Sequence, residues 1–129
     1  MNNKKPKFLV IDDDRASLAL VKATLSQQQY DNIDVFLNAQ EAQKSYQVKD
    51  YDILILDLRM PHLNGFEILR EMQNSNKPTP SVIVITAYAE PENQTKALEL
   101  GAKKVFLKPF EIGDFVKEID FLVDHIDIN

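Results

Sequence analysis

A chain of 129 residues with a formal net charge of −5 and no cysteine is long enough for one domain that buries its core without staples, and it excludes disulfides and thiolate metal sites. No basic run is longer than Lys4-Lys5 or Lys103-Lys104, so the electrostatic footprint of direct nucleic-acid binding is missing. Met1 to Lys7 is polar and the apolar run behind it soon meets three aspartates, too short for a signal-peptide core or a membrane span, so a soluble cytoplasmic protein is expected.

Phe8 to Ile11 is a continuous apolar run that ends at Asp12-Asp13-Asp14 and reads as a first strand. Leu18, Val21 and Leu25 then share one stripe, with Lys22 and Gln28 off it, which is a helical period. Ile33 to Leu37 reads as a weaker second strand, and Asn38 is a good N-cap for a second helix over Ala39 to Tyr46. Ile53 to Leu56 runs into Asp57. Turn residues fill Arg59-Met60-Pro61-His62-Leu63-Asn64-Gly65 before a third helix near Phe66, and Pro78 with Pro80 separates that helix from Val82 to Ile85, which stops at Thr86-Ala87. A fourth helix is expected from about Glu92 to Leu100, with Gly101 in the stop position. Val105 to Leu107 runs into Lys108-Pro109. The last helix has the clearest stripe, Ile112, Phe115, Val116, Ile119, Leu122, Val123 and Ile126.

Apolar strands alternating with helices imply an α/β fold, a parallel sheet covered on both faces. Every strand of such a sheet ends at the same edge, where ligands of open α/β sheets bind. Asp12, Asp13, Asp57, Thr86 and Lys108 should therefore meet there, although they come from opposite ends of the sequence. Singly, each has a structural explanation: aspartates after strands cap helices or form turns, and Asp14 is expected to cap. Together they argue for a site. His62 in its turn-rich loop and His125 on the last helix are read as solvated side chains, Lys103-Lys104 as a solvated loop, and the Ile112 to Ile126 stripe as core. With no repeat or linker, residues 1–129 are read as a single domain.

These residues, in this order and spacing, resemble the receiver domain of two-component response regulators. Ile11-Asp12-Asp13-Asp14 is similar to the family's acidic pair, and Leu56-Asp57-Leu58-Arg59-Met60-Pro61, with Gly65 beyond, to its phosphoacceptor segment. Ile85-Thr86-Ala87 and Lys108-Pro109-Phe110 match the remaining two motifs. The resemblance covers almost the whole chain. It implies a flavodoxin-like (βα)5 fold with strand order 2-1-3-4-5, and a Mg²⁺ ion bound directly by Asp13 and Asp57, through water by Asp12, and by the backbone carbonyl of Arg59. It further implies phosphorylation of Asp57 by a histidine kinase or phosphotransfer protein, with Lys108 and Thr86 binding the phosphoryl oxygens. A cis Lys108-Pro109 bond and a phosphoryl lifetime tuned by Arg59 and Tyr88 belong to the same implication. On this reading the chain catalyses only its own phosphorylation and dephosphorylation, and it signals through a protein surface to an effector or to an output domain. No output domain is read here, so a stand-alone regulator or a domain of a longer protein is expected.

Two positions depart from the family pattern. Val105 stands where an aromatic residue usually swings inward on activation, so no aromatic switch is expected, and Ala39 stands where many members have glycine. The rival reading is an aspartate-nucleophile phosphatase of the haloacid-dehalogenase type, with Asp12 as nucleophile and Asp14 as general acid. It requires another acidic pair at a late strand end, whereas Asp114, Asp120 and Asp124 fall on or beside the last helix.

Overall fold

The computed structural model describes residues 5–59, 65–87 and 90–126. Along the chain run β1 (Phe8–Ile11), α1 (Arg15–Gln27), β2 (Ile33–Phe36), α2 (Ala39–Val48), β3 (Ile53–Leu56), α3 (Gly65–Gln73), β4 (Ser81–Thr86), α4 (Pro91–Glu99), β5 (Ala102–Leu107) and α5 (Ile112–Asp124). The strands form one parallel sheet of order β2-β1-β3-β4-β5. This is the flavodoxin-like order implied by the sequence.

Continuous apolar strands follow from burial on both faces, because successive side chains point to opposite sides. Leu9, Ile11, Leu54, Leu56, Val82 and Val84 face a core completed by Ala42, Tyr46, Ile68, Leu69, Met72 and Ala97 from α2, α3 and α4. Phe8, Val10, Ile53, Ile55, Ile83 and Ile85 face the other core, closed by Val21 and Leu25 of α1 and Phe115, Ile119, Leu122 and Val123 of α5. Each such side chain contributes roughly 1.5–3 kcal/mol of burial. The strand ends are thus held from above and below.

Local chemistry sets the helix starts. Asp14 caps α1, accepting from the Ala16 amide at 3.0 Å and the Ser17 hydroxyl at 2.9 Å. Asn38 caps α2, accepting from the amides of Gln40 at 2.7 Å and Glu41 at 3.2 Å. The last turn of α2 is closed by Lys77, whose ammonium donates to the carbonyl oxygens of Tyr46 and Lys49. Gly101 follows α4 with φ 107°, a left-handed value open to glycine.

Several boundaries differ from the sequence reading. β5 begins at Ala102 rather than Val105, so Lys103 and Lys104 are solvated strand residues, not a loop. Their exposure is that of an edge strand, which breaks the apolar run used to find it. Within the last stripe, Ile112, the first residue of α5, is 46% exposed, while Phe115, Ile119, Leu122 and Val123 are core. β2 stops at Phe36, α2 continues to Val48, and α4 is shifted by one residue at each end, to Pro91–Glu99.

Candidate functional site

Register brings the site together. Ile11 is paired with Leu56, and the Asp57 amide donates to the Ile11 carbonyl at 3.0 Å, so the residues just beyond β1 and β3 are neighbours. Thr86 is paired with Leu107, and the Lys108 amide donates to the Thr86 carbonyl at 2.8 Å, which sets the lysine beside the end of β4. The Lys108-Pro109 peptide bond is cis, as the resemblance implies.

Buried polar side chains mark the same edge. Among the described residues they are Asp12, Thr24, Asp57 and Thr86. Thr24 donates its hydroxyl to the Leu20 carbonyl within α1, at 2.8 Å, and the other three lie at the carboxyl ends of the strands. Lys108 reaches between two of them, its ammonium 2.9 Å from Asp12 Oδ2 and 3.0 Å from Asp57 Oδ2. The remaining oxygens also have donors: Asp12 Oδ1 accepts from the Asp14 amide at 2.9 Å and Asp57 Oδ1 from the Arg59 amide at 3.1 Å. Asp13 is exposed at the rim, and one carboxylate oxygen from each of Asp12, Asp13 and Asp57 lies within 4.8 Å of the others.

Burial of the site is felt electrostatically. Burial pushes the Asp12 carboxyl up to about 6 from 3.8, against the lowering effect of its bonds to Lys108 and to the Asp14 amide. Burial also works against the Lys108 charge, but its bonds to Asp12 and Asp57 outweigh that and raise its pKa. One ammonium cannot offset three carboxylates. Their clustered oxygens, open to solvent on the Asp13 side, fit a hard divalent cation that keeps some water.

Asp14 stands apart. It is exposed, and its bonds to Ser17 and to the Ala16 amide lower its pKa, the opposite of what a general acid needs. The late strands end at Thr86 and Leu107, while Asp114, Asp120 and Asp124 lie on α5. The haloacid-dehalogenase reading is therefore not supported. His125, at the end of α5, donates through Nδ1 to the Phe121 carbonyl at 2.7 Å, with its ring stacked on Phe121. His62, Met60, Pro61 and Tyr88 lie outside the described residues.

Sequence reasoning treated Gly65 as a turn residue and missed its packing role. Its amide donates to the Leu58 carbonyl at 2.8 Å, and a Cβ there would fall 2.7 Å from Leu58 Cα and 2.8 Å from the Asp57 carbonyl oxygen. A glycine eight residues beyond a strand-end aspartate was the available signal.

Fold and site together define a doubly wound α/β protein with an acidic, lysine-bridged crevice at the carboxyl end of its central strands. The family model of the response regulator receiver domain matches residues 8–120. The regulatory protein VanRB of Enterococcus faecalis is 31% identical over 117 residues, which is 91% of this chain and 52% of that protein. The receiver domain of Francisella response regulator 1452 superposes with a TM-score of 0.84 at 28% identity, covering 93% of this chain and 98% of that one. A BeF3-activated DrrB receiver domain gives 0.82 at 26% identity, covering 94% and 99%. The chain belongs to the response regulator receiver domain family. It spans about half the length of the curated relatives it matches.

Proposed function

We propose that Asp57 is the phosphoacceptor of this receiver, that Asp12, Asp13, Asp57 and the Arg59 carbonyl form its Mg²⁺ site, and that Lys108 and Thr86 bind the transferred group. The observation that carries this is the bridging of Asp12 and Asp57 by the Lys108 ammonium at the strand ends, beside the exposed Asp13.

A carboxylate oxygen of Asp57 attacks the phosphorus of a phosphohistidine in line. The P–N bond breaks, its electron pair remains on the imidazole, and an aspartyl phosphate results. Bound Mg²⁺ supplies charge neutralisation on the phosphoryl oxygens. Lys108, already 3.0 Å from Asp57, transfers its hydrogen bond to a phosphoryl oxygen. Thr86 is fully buried at the end of β4, so its hydroxyl serves the phosphoryl group by turning toward Asp57. Arg59 is exposed beside the site and, with Tyr88, sets access of water to the acyl phosphate and hence its lifetime.

The donor is a histidine kinase or phosphotransfer protein, and the recipient of the signal is an effector protein or an output domain. The domain turns over no external substrate and contacts neither nucleic acid nor membrane directly. Among the described residues no helix is long and apolar enough to cross a membrane. All five described strands join one sheet, which supports reading residues 1–129 as a single receiver domain; its proposed location is the cytoplasm.

Acetyl phosphate with Mg²⁺ should add one phosphoryl group to the wild type and none to Asp57→Asn, read by intact mass. Excess chelator should suppress the wild-type labelling. Equal labelling of Asp57→Asn, or labelling undiminished by chelation, overturns the assignment.

A further inference from the structure

α4 is thinly anchored. All of it is described, and Ala97 is its buried residue. Side-chain ties to α3 supplement that contact: Gln73 donates through Nε2 to the Leu100 carbonyl, and the Lys96 ammonium lies 4.4 Å from the centre of the Phe66 ring. The ring is 7% exposed and belongs to the residue after Gly65. Gly65 is pressed against the Asp57-Leu58 peptide so closely that even a methyl group would sit 2.7 Å from Leu58 Cα. Asp57, Leu58, Gly65, Phe66 and Lys96 thus form a line of contact from the backbone of the acceptor residue to α4. Packed interiors have little slack, so a shift of the Asp57-Leu58 peptide is passed to the Phe66 ring rather than absorbed. The ring face is electron-rich and holds an ammonium with directional preference, so the helix carrying Lys96 follows the ring.

We propose that Lys96 is a positioning residue that couples the state of Asp57 to α4 through the Phe66 ring. This rests on the assignment of Asp57 as acceptor and adds a route from that residue to α4 that runs through α3. It also supplies a coupling that does not depend on residue 105, where Val105 is partly buried against the α2, α3 and α4 side of the core. The charge of Lys96, more than its length, is the working element, because it is the ammonium that lies over the Phe66 ring.

The test compares hydrogen exchange of residues 92–99 with and without beryllofluoride and Mg²⁺ in the wild type, Lys96→Met and Lys96→Arg, while fluorine NMR reports the adduct on Asp57. Lys96 is exposed, so its replacement leaves the core intact. A cation over a ring at an exposed position corresponds to roughly a two- to five-fold change in an equilibrium. Lys96→Met should therefore reduce the adduct-induced change in α4 protection by about two- to five-fold with the adduct still formed, and Lys96→Arg should retain it. A merely structural lysine would change protection equally in both states and leave their difference untouched, which overturns the proposal, as does a full response in Lys96→Met. Absence of any adduct in the wild type overturns the acceptor assignment and the proposal with it.

Discussion

Two polar clusters sit at opposite ends of the same sheet, and one aspartate of each, Asp12 and Asp34, is displaced in the opposite direction to the other. At the carboxyl end, burial pushes Asp12 up to about 6. Toward the amino end, Asp34 of β2 accepts from the Tyr51 hydroxyl at 2.6 Å and the Lys49 ammonium at 3.2 Å, and its pKa is lowered, chiefly by the Tyr51 bond. Tyr51 is shared further, its hydroxyl 2.5 Å from that of Ser45 in α2, and burial with the Asp34 bond pushes it up to about 12. The amino-end cluster satisfies itself and ties β2, α2 and the start of β3 together. The carboxyl-end cluster holds more negative charge than its own lysine neutralises. Polar groups that end up mutually paired stabilise a fold, and those left with surplus charge are held ready for a ligand.

The largest break in this contrast should come from Gly65→Ala. Its added methyl meets backbone atoms of Asp57 and Leu58 at 2.8 and 2.7 Å, and backbone cannot step aside as a flexible side chain can. Overpacking of this kind costs about 1–3 kcal/mol, so a urea melt should show that loss and acetyl phosphate labelling should slow at least about ten-fold. Unchanged labelling would show that the turn after β3 has more freedom than its packing implies.

The opposed aspartates give the sharper test. Without divalent cation, Asp12→Asn should stabilise the protein by about 1–2 kcal/mol near neutral pH, since it removes a buried charge that folding disfavours. Asp34→Asn should destabilise it by less than about 1 kcal/mol, because that carboxylate is partly screened by solvent. The pH dependence follows in sign. Ionising Asp12 costs stability as pH rises from 3.8 toward about 6, because the folded state holds that proton more tightly. Asp34 contributes fully above its ordinary carboxylate value, and that contribution is lost as pH falls through its lowered folded-state pKa. Denaturant midpoints of the two variants between pH 3 and 7 check both; like-signed shifts in cation-free buffer would break the comparison.

The smallest expected effect belongs to Tyr51→Phe. Removing the hydroxyl leaves Asp34 its lysine and Ser45 its access to water, so about 1 kcal/mol should be lost from stability while phosphoryl uptake stays at the wild-type rate. A slowed uptake would mean that the amino end of the sheet reaches the site.

The carboxyl-end cluster was legible in the sequence, and its amino-end counterpart was not. Strands buried on both faces write themselves as unbroken apolar runs, so the residue ending each run is marked by contrast, as Asp57 is after Leu56 and Thr86 after Ile85. Parallel topology then brings those marked residues together without any knowledge of side-chain geometry. Nothing comparable marks Tyr51, Asp34 and Ser45, which meet because α2 folds back over β2 and the entry to β3. Their partners are 17 and 6 residues apart in the chain and follow neither the strand nor the helix period. The same reasoning accounts for β5, where Lys103 and Lys104 face solvent and hid the first half of the strand. It also accounts for Lys96 and Phe66, a pairing between elements that each looked ordinary.

The successive lysines of β5 carry one more consequence, for how wide the sheet can grow. β5 is an outer strand, with a row of backbone donors and acceptors along its free side. The β4–β5 register is irregular here, with Ala102 paired to Val82 but Lys104 to Ile83, so a strand from another molecule laid alongside would have to match a bulged backbone and crowd two exposed ammonium groups. The same two residues that obscured the strand in the sequence make this edge of the sheet a poor template for edge-to-edge pairing.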